Sequence, residues 1–173
     1  RPAALLEAYL GGQAAGAALT DVLVGDVEPG GRLAESIPYS VHDLPASADF
    51  ARNPAQVEYR ETHHVGYRFH DTAFGGRTLP ARFAFGHGLG YTDVEYSDLS
   101  VAFDGDRIRV QVTVTNTGRR TGSTVVQVYV HDVDASVARP EQELKAFEKV
   151  YLIQGESRRI EFMLDSRAFS FWD

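Results

Sequence analysis

Leu99-Ser-Val-Ala-Phe-Asp-Gly-Asp-Arg-Ile-Arg-Val-Gln-Val-Thr-Val114 is written in twos. Leu99, Val101 and Phe103 alternate with other residues, Asp104-Gly105 supplies a turn, and Ile108, Val110, Val112 and Val114 alternate again against Arg, Gln and Thr. A period of two gives each strand one apolar face, and Asp-Gly between such runs is a hairpin signal. Two half-buried antiparallel strands are predicted. Beyond the loop from Asn116 to Gly122, Val126, Val128 and Val130 form one face, Leu144 to Leu152 another strand, and Ile160, Phe162 and Leu164 a further one. Short strands at this spacing indicate a β-sandwich, for which about seven strands are expected. Five or six are visible, and Phe169, Phe171 and Trp172 open a new apolar stretch just before Asp173, so the sandwich over 93–173 is expected to be incomplete.

Upstream the pattern is different. Pro2 suits the first position of a helix whose Leu5, Leu6, Tyr9 and Leu10 fall at helical spacing, with Gly11-Gly12 as its stop. A second helix is predicted from the small-residue run Ala14 to Ala18 through Leu19, Val22 and Leu23, packing closely through its alanines, with Gly25 as its C-terminal cap and Pro29 beyond. Arg32 to Ile37 reads as a brief strand ended by Pro38. Residues 1–40 therefore have α/β character. The stretch 41–92 is expected to be a long irregular linker: its first part mixes Pro45, Asn53 and Pro54 with little periodicity, and its second, from His63 to Tyr91, is dense in aromatics, His and Gly.

Composition narrows the function classes. Apolar residues make up 43% of the 173 and charged ones 24%, with ten Phe and eight Tyr, enough for a real core in one domain or two small ones. A formal charge of −7 and a pI near 5.3 give no attraction to phosphate backbones or anionic headgroups, so neither nucleic acid nor membrane is an expected partner. No apolar run approaches the roughly 20 residues of a bilayer span, and the chain reads as soluble, whether cytoplasmic or secreted. With no Cys, disulfides, thiolate chemistry and Cys-rich zinc sites are excluded. The first residue is Arg and not Met, so the natural start is expected upstream.

Three ordered segments carry a family resemblance. Leu-Leu-Glu-Ala-Tyr-Leu-Gly-Gly-Gln from Leu5, Ala-Leu-Thr-Asp-Val-Leu-Val-Gly-Asp from Ala18 and Pro-Gly-Gly-Arg-Leu from Pro29 resemble the end of the α/β sandwich domain of glycoside hydrolase family 3. Val-Gly-Tyr-Arg-Phe-His-Asp from Val65 and Phe-Gly-His-Gly-Leu-Gly-Tyr-Thr from Phe85 resemble that family's linker into its last domain. Val-Thr-Asn-Thr-Gly from Val114, Val-Val-Gln-Val-Tyr-Val from Val125, Glu-Leu-Lys-Ala-Phe-Glu-Lys-Val from Glu143 and Phe-Ser-Phe from Phe169 resemble its fibronectin type III-like domain. Gly11 and Ala84 depart from the family by replacing prolines, both at loop positions.

The resemblance implies the C-terminal portion of an exo-acting retaining glycosidase, a β-glucosidase first and a β-xylosidase next, acting on terminal β-linked sugars without a cofactor. Retention requires two carboxylates about 5 to 5.5 Å apart. In this family the nucleophile is an Asp of an N-terminal barrel and the acid/base usually a Glu upstream of the segment seen here, so neither maps onto this chain. No catalytic residue is expected among the 173, and the chain alone is expected to be inactive, the missing barrel being its partner. The competing reading is a free-standing fibronectin-type module that binds carbohydrate or serves adhesion; the torn α/β edge in 1–40 argues against it. An incomplete sheet and an incomplete sandwich would also leave the isolated chain marginal in stability.

Several residues could still carry chemistry. Glu58 and Glu61 beside His63 and His64 could form an acid/base pair, although a solvated loop face is the commoner arrangement. His63, His64, His70 and Asp71 lack any zinc-signature spacing, and no metal is expected. Tyr67, Arg68 and Asp71 belong to the family's Gly-Tyr-Arg motif and are expected to brace the linker through an Arg–carboxylate pair and aromatic packing. A second reading places these three at the edge of the sugar-binding pocket. The segment Phe85 to Tyr91 is expected to anchor a domain interface, with His87 a lesser candidate for ligand binding, and Phe147 with Phe169 to Trp172 to fill the sandwich core in preference to stacking on sugars.

Overall fold

The computed structural model describes residues 2–50, 52, 55–72 and 79–171. Asn53, Pro54 and Trp172 lie outside the described residues. The order is α1 (Ala15–Val24), α2 (Tyr67–Asp71) and then five strands, β1 (Val94–Asp104), β2 (Arg107–Asn116), β3 (Gly122–Val130), β4 (Glu143–Leu152) and β5 (Ser157–Leu164). The fold is α+β in two parts, an irregular N-terminal part with short helices followed by an antiparallel sandwich.

One sheet has the order β1-β2-β5 and the other pairs β3 with β4. The predicted hairpin forms, with Asp104 opposite Arg107 and Gly105 at φ 64° in the turn. Ile108, Val110, Val112 and Val114 of β2 stand opposite Leu164, Phe162, Ile160 and Arg158 of β5. The core is built from Val110, Val112, Val114, Ile160, Phe162 and Leu164 on this sheet against Val126, Val150 and Leu152 on the other. Burying such side chains is worth about 1.5–3 kcal/mol each. Asn116, 1% exposed, closes one end by donating from Nδ2 to the carbonyls of Arg120 and Leu152 and accepting from the Thr92 hydroxyl.

Two apolar runs do not reach this core. Val101 and Phe103 sit opposite Val110 and Ile108 and so share the core-side face. Yet Phe103 is 87% exposed and Leu99 71%. β1 is an edge strand with a register shift between Ser97 and Ser100; before the shift its Tyr96 hydroxyl still meets Thr124 of β3, but beyond it Leu99, Val101 and Phe103 stay exposed. Phe147, expected in the core, is 67% exposed because it has the wrong parity: Val150 and Leu152 point inward, which turns Phe147, Lys149 and Tyr151 outward. Phe169 and Phe171 start no strand. Asp165 caps a 3₁₀ turn over Ser166–Ala168, and the Arg139 guanidinium lies 5.3 Å over the Phe171 ring.

The N-terminal part departs from the expected local structure at three places. Residues 2–13 are not helical, and Leu5 and Leu10 stand exposed. A helix this short needs an apolar partner to hold its leucine stripe, and Leu5, Leu6, Tyr9 and Leu10 are all exposed. α1 does form and ends as expected: Gly25 adopts φ 85°, its N–H bonds to the Val22 carbonyl and the next N–H reaches back to Asp21, the Schellman arrangement. Its alanines, however, bury nothing, as no residue of α1 is buried. The strand from Arg32 to Ile37 is reduced to a narrow antiparallel ribbon with 83–87, carried by the Leu33–Gly86, Leu33–His87 and Ile37–Phe83 backbone bonds.

Candidate functional site

The linker helix α2 is fastened to the sandwich residue by residue. Gly66 enters it at φ 58°, a left-handed conformation suited to glycine. The Tyr67 hydroxyl accepts from Leu144 N–H at 2.8 Å, Asp71 Oδ2 accepts from the Gln142 amide at 2.8 Å, and Thr72 Oγ1 accepts from Glu141 N–H at 3.0 Å. Arg68 completes the series by pairing with Glu143 at 3.1 Å. Four successive residues, 141–144, are thus held by α2 and its exit.

Glu143 is the charge centre of this clamp. Arg68, Arg139 and Lys145 approach its carboxylate at 3.1, 2.6 and 3.4 Å, and Arg139 also reaches Asp132 at 2.9 Å. Burial alone would raise the Glu143 carboxyl, but the Arg139 hydrogen bond and the charges of Lys145 and Arg68 outweigh it and hold it below the usual carboxylate range. His70, 4% exposed, uses Nδ1 on the Leu79 carbonyl at 2.7 Å; because a carbonyl only accepts, Nδ1 carries the proton.

Beside the clamp lies a cavity of about 260 Å³, lined by Tyr67, Asp71, Phe85, Gln127, Tyr129 and Gln142. Gln127 stands opposite Phe147 and so occupies the outer face of the β3–β4 sheet. The Tyr67 ring stacks on Phe85 at 4.7 Å and meets Tyr129 edge-on at 5.9 Å. Gly86, at φ 79°, lets the backbone pass close to the Gln127 amide, where a Cβ would come within 2.6 Å of Oε1. The Tyr129 hydroxyl donates to that same oxygen at 2.5 Å. Burial, and then the neighbouring Tyr67 and Asp71, push the Tyr129 phenol up to about 12, which keeps it a neutral donor. Arg68 does not line the cavity; it turns to Glu143.

A second fastening joins the segment after α1 to the start of β3. Glu28 Oε2 accepts from Ser123 N–H at 2.5 Å, Arg120 donates to the Gly25 carbonyl at 2.5 Å, and Tyr91 donates to the Val22 carbonyl at 2.7 Å while its ring lies under Arg120. Arg32 adds a bond to Thr124. Within the segment expected to anchor an interface, Phe85 and Tyr91 make such contacts, whereas Leu89 is 78% exposed and His87 exposed.

The other sequence candidates are not gathered into a site. Glu58 pairs with Arg60 at 2.8 Å on an exposed loop. The His63 and His64 rings lie 4.2 Å apart, and burial and then the His63 charge lower the His64 imidazole. Among the described residues no three metal-ligating side chains come together. Glu143, Gln127, Tyr129 and Gln142 escaped the sequence reading. The one available signal was parity, since Gln127 and Tyr129 alternate with Val126 and Val128 and so mark a polar outer face.

Residues 1–91 match the glycosyl hydrolase family 3 C-terminal domain, and residues 124–173 match a fibronectin type III-like domain. The chain belongs to glycosyl hydrolase family 3. Among curated relatives, the thermostable beta-glucosidase B of Acetivibrio thermocellus is 49% identical across 98% of the chain. The exo-alpha-(1->6)-L-arabinopyranosidase of Bifidobacterium breve is 43% identical across 97%. Among solved structures, a GH3 beta-glucosidase of Bifidobacterium adolescentis superposes with a TM-score of 0.86 at 42% identity, over 93% of this chain and 23% of that one. Beta-glucosidase 3B of Thermotoga neapolitana, in complex with glucose, superposes with a TM-score of 0.86 at 39% identity, over 93% of this chain and 22% of that one. The chain spans 22% of the length of each of these two curated relatives.

Proposed function

We propose that this chain is the C-terminal part of an exo-acting, retaining β-glucosidase that hydrolyses terminal β-linked sugars, and that its own work is structural. The observation that carries the second half of this reading is the pair of fastenings. Glu28, Tyr91 and Arg120 tie the end of α1 to β3, and Tyr67, Arg68 and Asp71 tie α2 to β4. Together they make a rigid buttress out of segments with little regular structure of their own. In the intact protein the nucleophile and acid/base are assigned to residues outside this chain, and the barrel that carries the nucleophile is its partner. Arg68 acts through the brace; Tyr67 and Asp71 face the cavity and retain the ligand reading.

The relatives bear names for glucose and arabinopyranose, so glucose is the first choice and arabinopyranose the comparison, with xylose kept as the second choice the family resemblance implies. The test is hydrolysis of aryl β-glucoside, aryl β-xyloside and aryl α-L-arabinopyranoside by the intact protein and by the 173-residue chain. The intact protein should cleave the glucoside fastest with retention of anomeric configuration, and the chain alone should cleave nothing above a mock preparation. Activity in the chain alone would overturn the structural reading. No helix among the described residues is long and apolar enough to cross a membrane.

A further inference from the structure

We propose that the cavity between α2, the Ala84–Gly86 turn and the outer face of β3–β4 is a seat for a single neutral pyranose ring. The proposal rests on the glycosidase reading for the supply of sugar and on the cavity's own chemistry for the site. A pyranose offers C–H faces that need an apolar plane and hydroxyls that each donate and accept. The Tyr67–Phe85 stack provides the plane. The polar groups are already oriented by bonds among themselves: Asp71 Oδ2 accepts from Gln142 Nε2, and Gln127 Oε1 accepts from the Tyr129 hydroxyl. Those bonds leave Asp71 Oδ1 and Gln142 Oε1 as acceptors and Gln127 Nε2 as a donor, the mixed set that vicinal hydroxyls require.

Size and charge narrow the ligand further. At about 260 Å³ the space falls just below the roughly 300–1,000 Å³ of pockets for drug-sized ligands, which suits one ring and not an oligosaccharide. Asp71 is the one charged side chain among the described residues lining it, which disfavours anions and makes a small organic cation the competing occupant. Gly86 is needed for its φ of 79°, and a Cβ there would also meet the Gln127 amide at 2.6 Å and displace its donor.

Hydrogen exchange by mass spectrometry on the intact protein reads the site locally. Methyl β-D-glucopyranoside should slow exchange in peptides covering 84–88 and 125–130, and Gln127→Ala should weaken that effect roughly fivefold or more, the loss of one hydrogen bond. Gln142→Ala serves as the second variant if Gln127→Ala melts early. No slowing with the glucoside, equal slowing with glycerol, or slowing by methylammonium in its place would each overturn the proposal. Aryl β-glucoside hydrolysis is measured on the same preparation. An active enzyme without local slowing removes the seat alone, and local slowing without hydrolysis supports the seat while counting against the glycosidase reading.

Discussion

The Arg68 guanidinium meets the Glu143 carboxylate at 3.1 Å, and that single pair spans the linker helix and the fourth strand of the sandwich. Its two ends are unequal. Glu143 is 14% exposed and also faces Arg139 and Lys145, whereas Arg68 is 32% exposed and has one acidic partner among the described residues.

Removing the carboxylate should therefore cost more than removing Arg68. Glu143→Gln strands three cations in a half-buried site, and a loss of about 2–3 kcal/mol is expected, below the 3–5 of a fully buried pair. Arg68→Met should lose about 1 kcal/mol, nearer to exposed pairs. Urea denaturation of both variants and of the double mutant gives the coupling energy, expected between about 0.5 and 2 kcal/mol. A coupling of zero would show that the pair braces nothing.

The same centre sets an acid limit. The folded Glu143 carboxyl lies below the usual range, so its stabilisation is fully present above the unfolded value near 4.3 and is lost as pH falls through the folded value. Melting temperature should fall on the acid side of about pH 4.3 in the parent, and the fall should be shallower in Glu143→Gln. A parallel pH profile in the two proteins would assign the acid loss to other carboxylates.

How much of this could be read beforehand depended on whether the cause was local. The alternation around Val112 and Val114 forces a two-faced strand wherever it lies, so β2 and its partners were legible. The leucines of residues 2–10 carry a helical period as well, yet a period is only an offer to pack, and Leu5, Leu6 and Leu10 stay exposed. Phe147 is misread for a finer reason. Between Phe147 and Leu152 the register is unbroken, so parity alone decides which residues face inward, and with Val150 and Leu152 in the core Phe147 is left on the outer face. The cavity was the least legible feature, because Tyr67, Gln127 and Gln142 meet only when the linker folds back on the outer face of the second sheet.

Core and edge should respond differently to truncation. Leu152 is 1% exposed, and Leu152→Ala should cost about 2–5 kcal/mol through lost burial and the cavity left behind. Phe103 is 87% exposed despite its core-side orientation, and Phe103→Ala should change stability by no more than about 0.5 kcal/mol. Chemical denaturation of both variants of the intact protein checks this. A large loss for Phe103→Ala would mean that β1 is covered in solution.

Gly86 separates backbone strain from side-chain crowding. At φ 79° an alanine is strained by itself, and its Cβ would also lie 2.6 and 2.8 Å from the Oε1 and Nε2 atoms of Gln127. Gly86→Ala should cost about 2 kcal/mol in the parent, the sum of left-handed strain and displacement of the amide. In a Gln127→Ala background the crowding is gone and about 1 kcal/mol of strain should remain. Equal costs in the two backgrounds would mean that the amide swings aside freely, in which case Gln127 is not held in place by the Tyr129 hydroxyl and the polar wall of the cavity is not pre-formed.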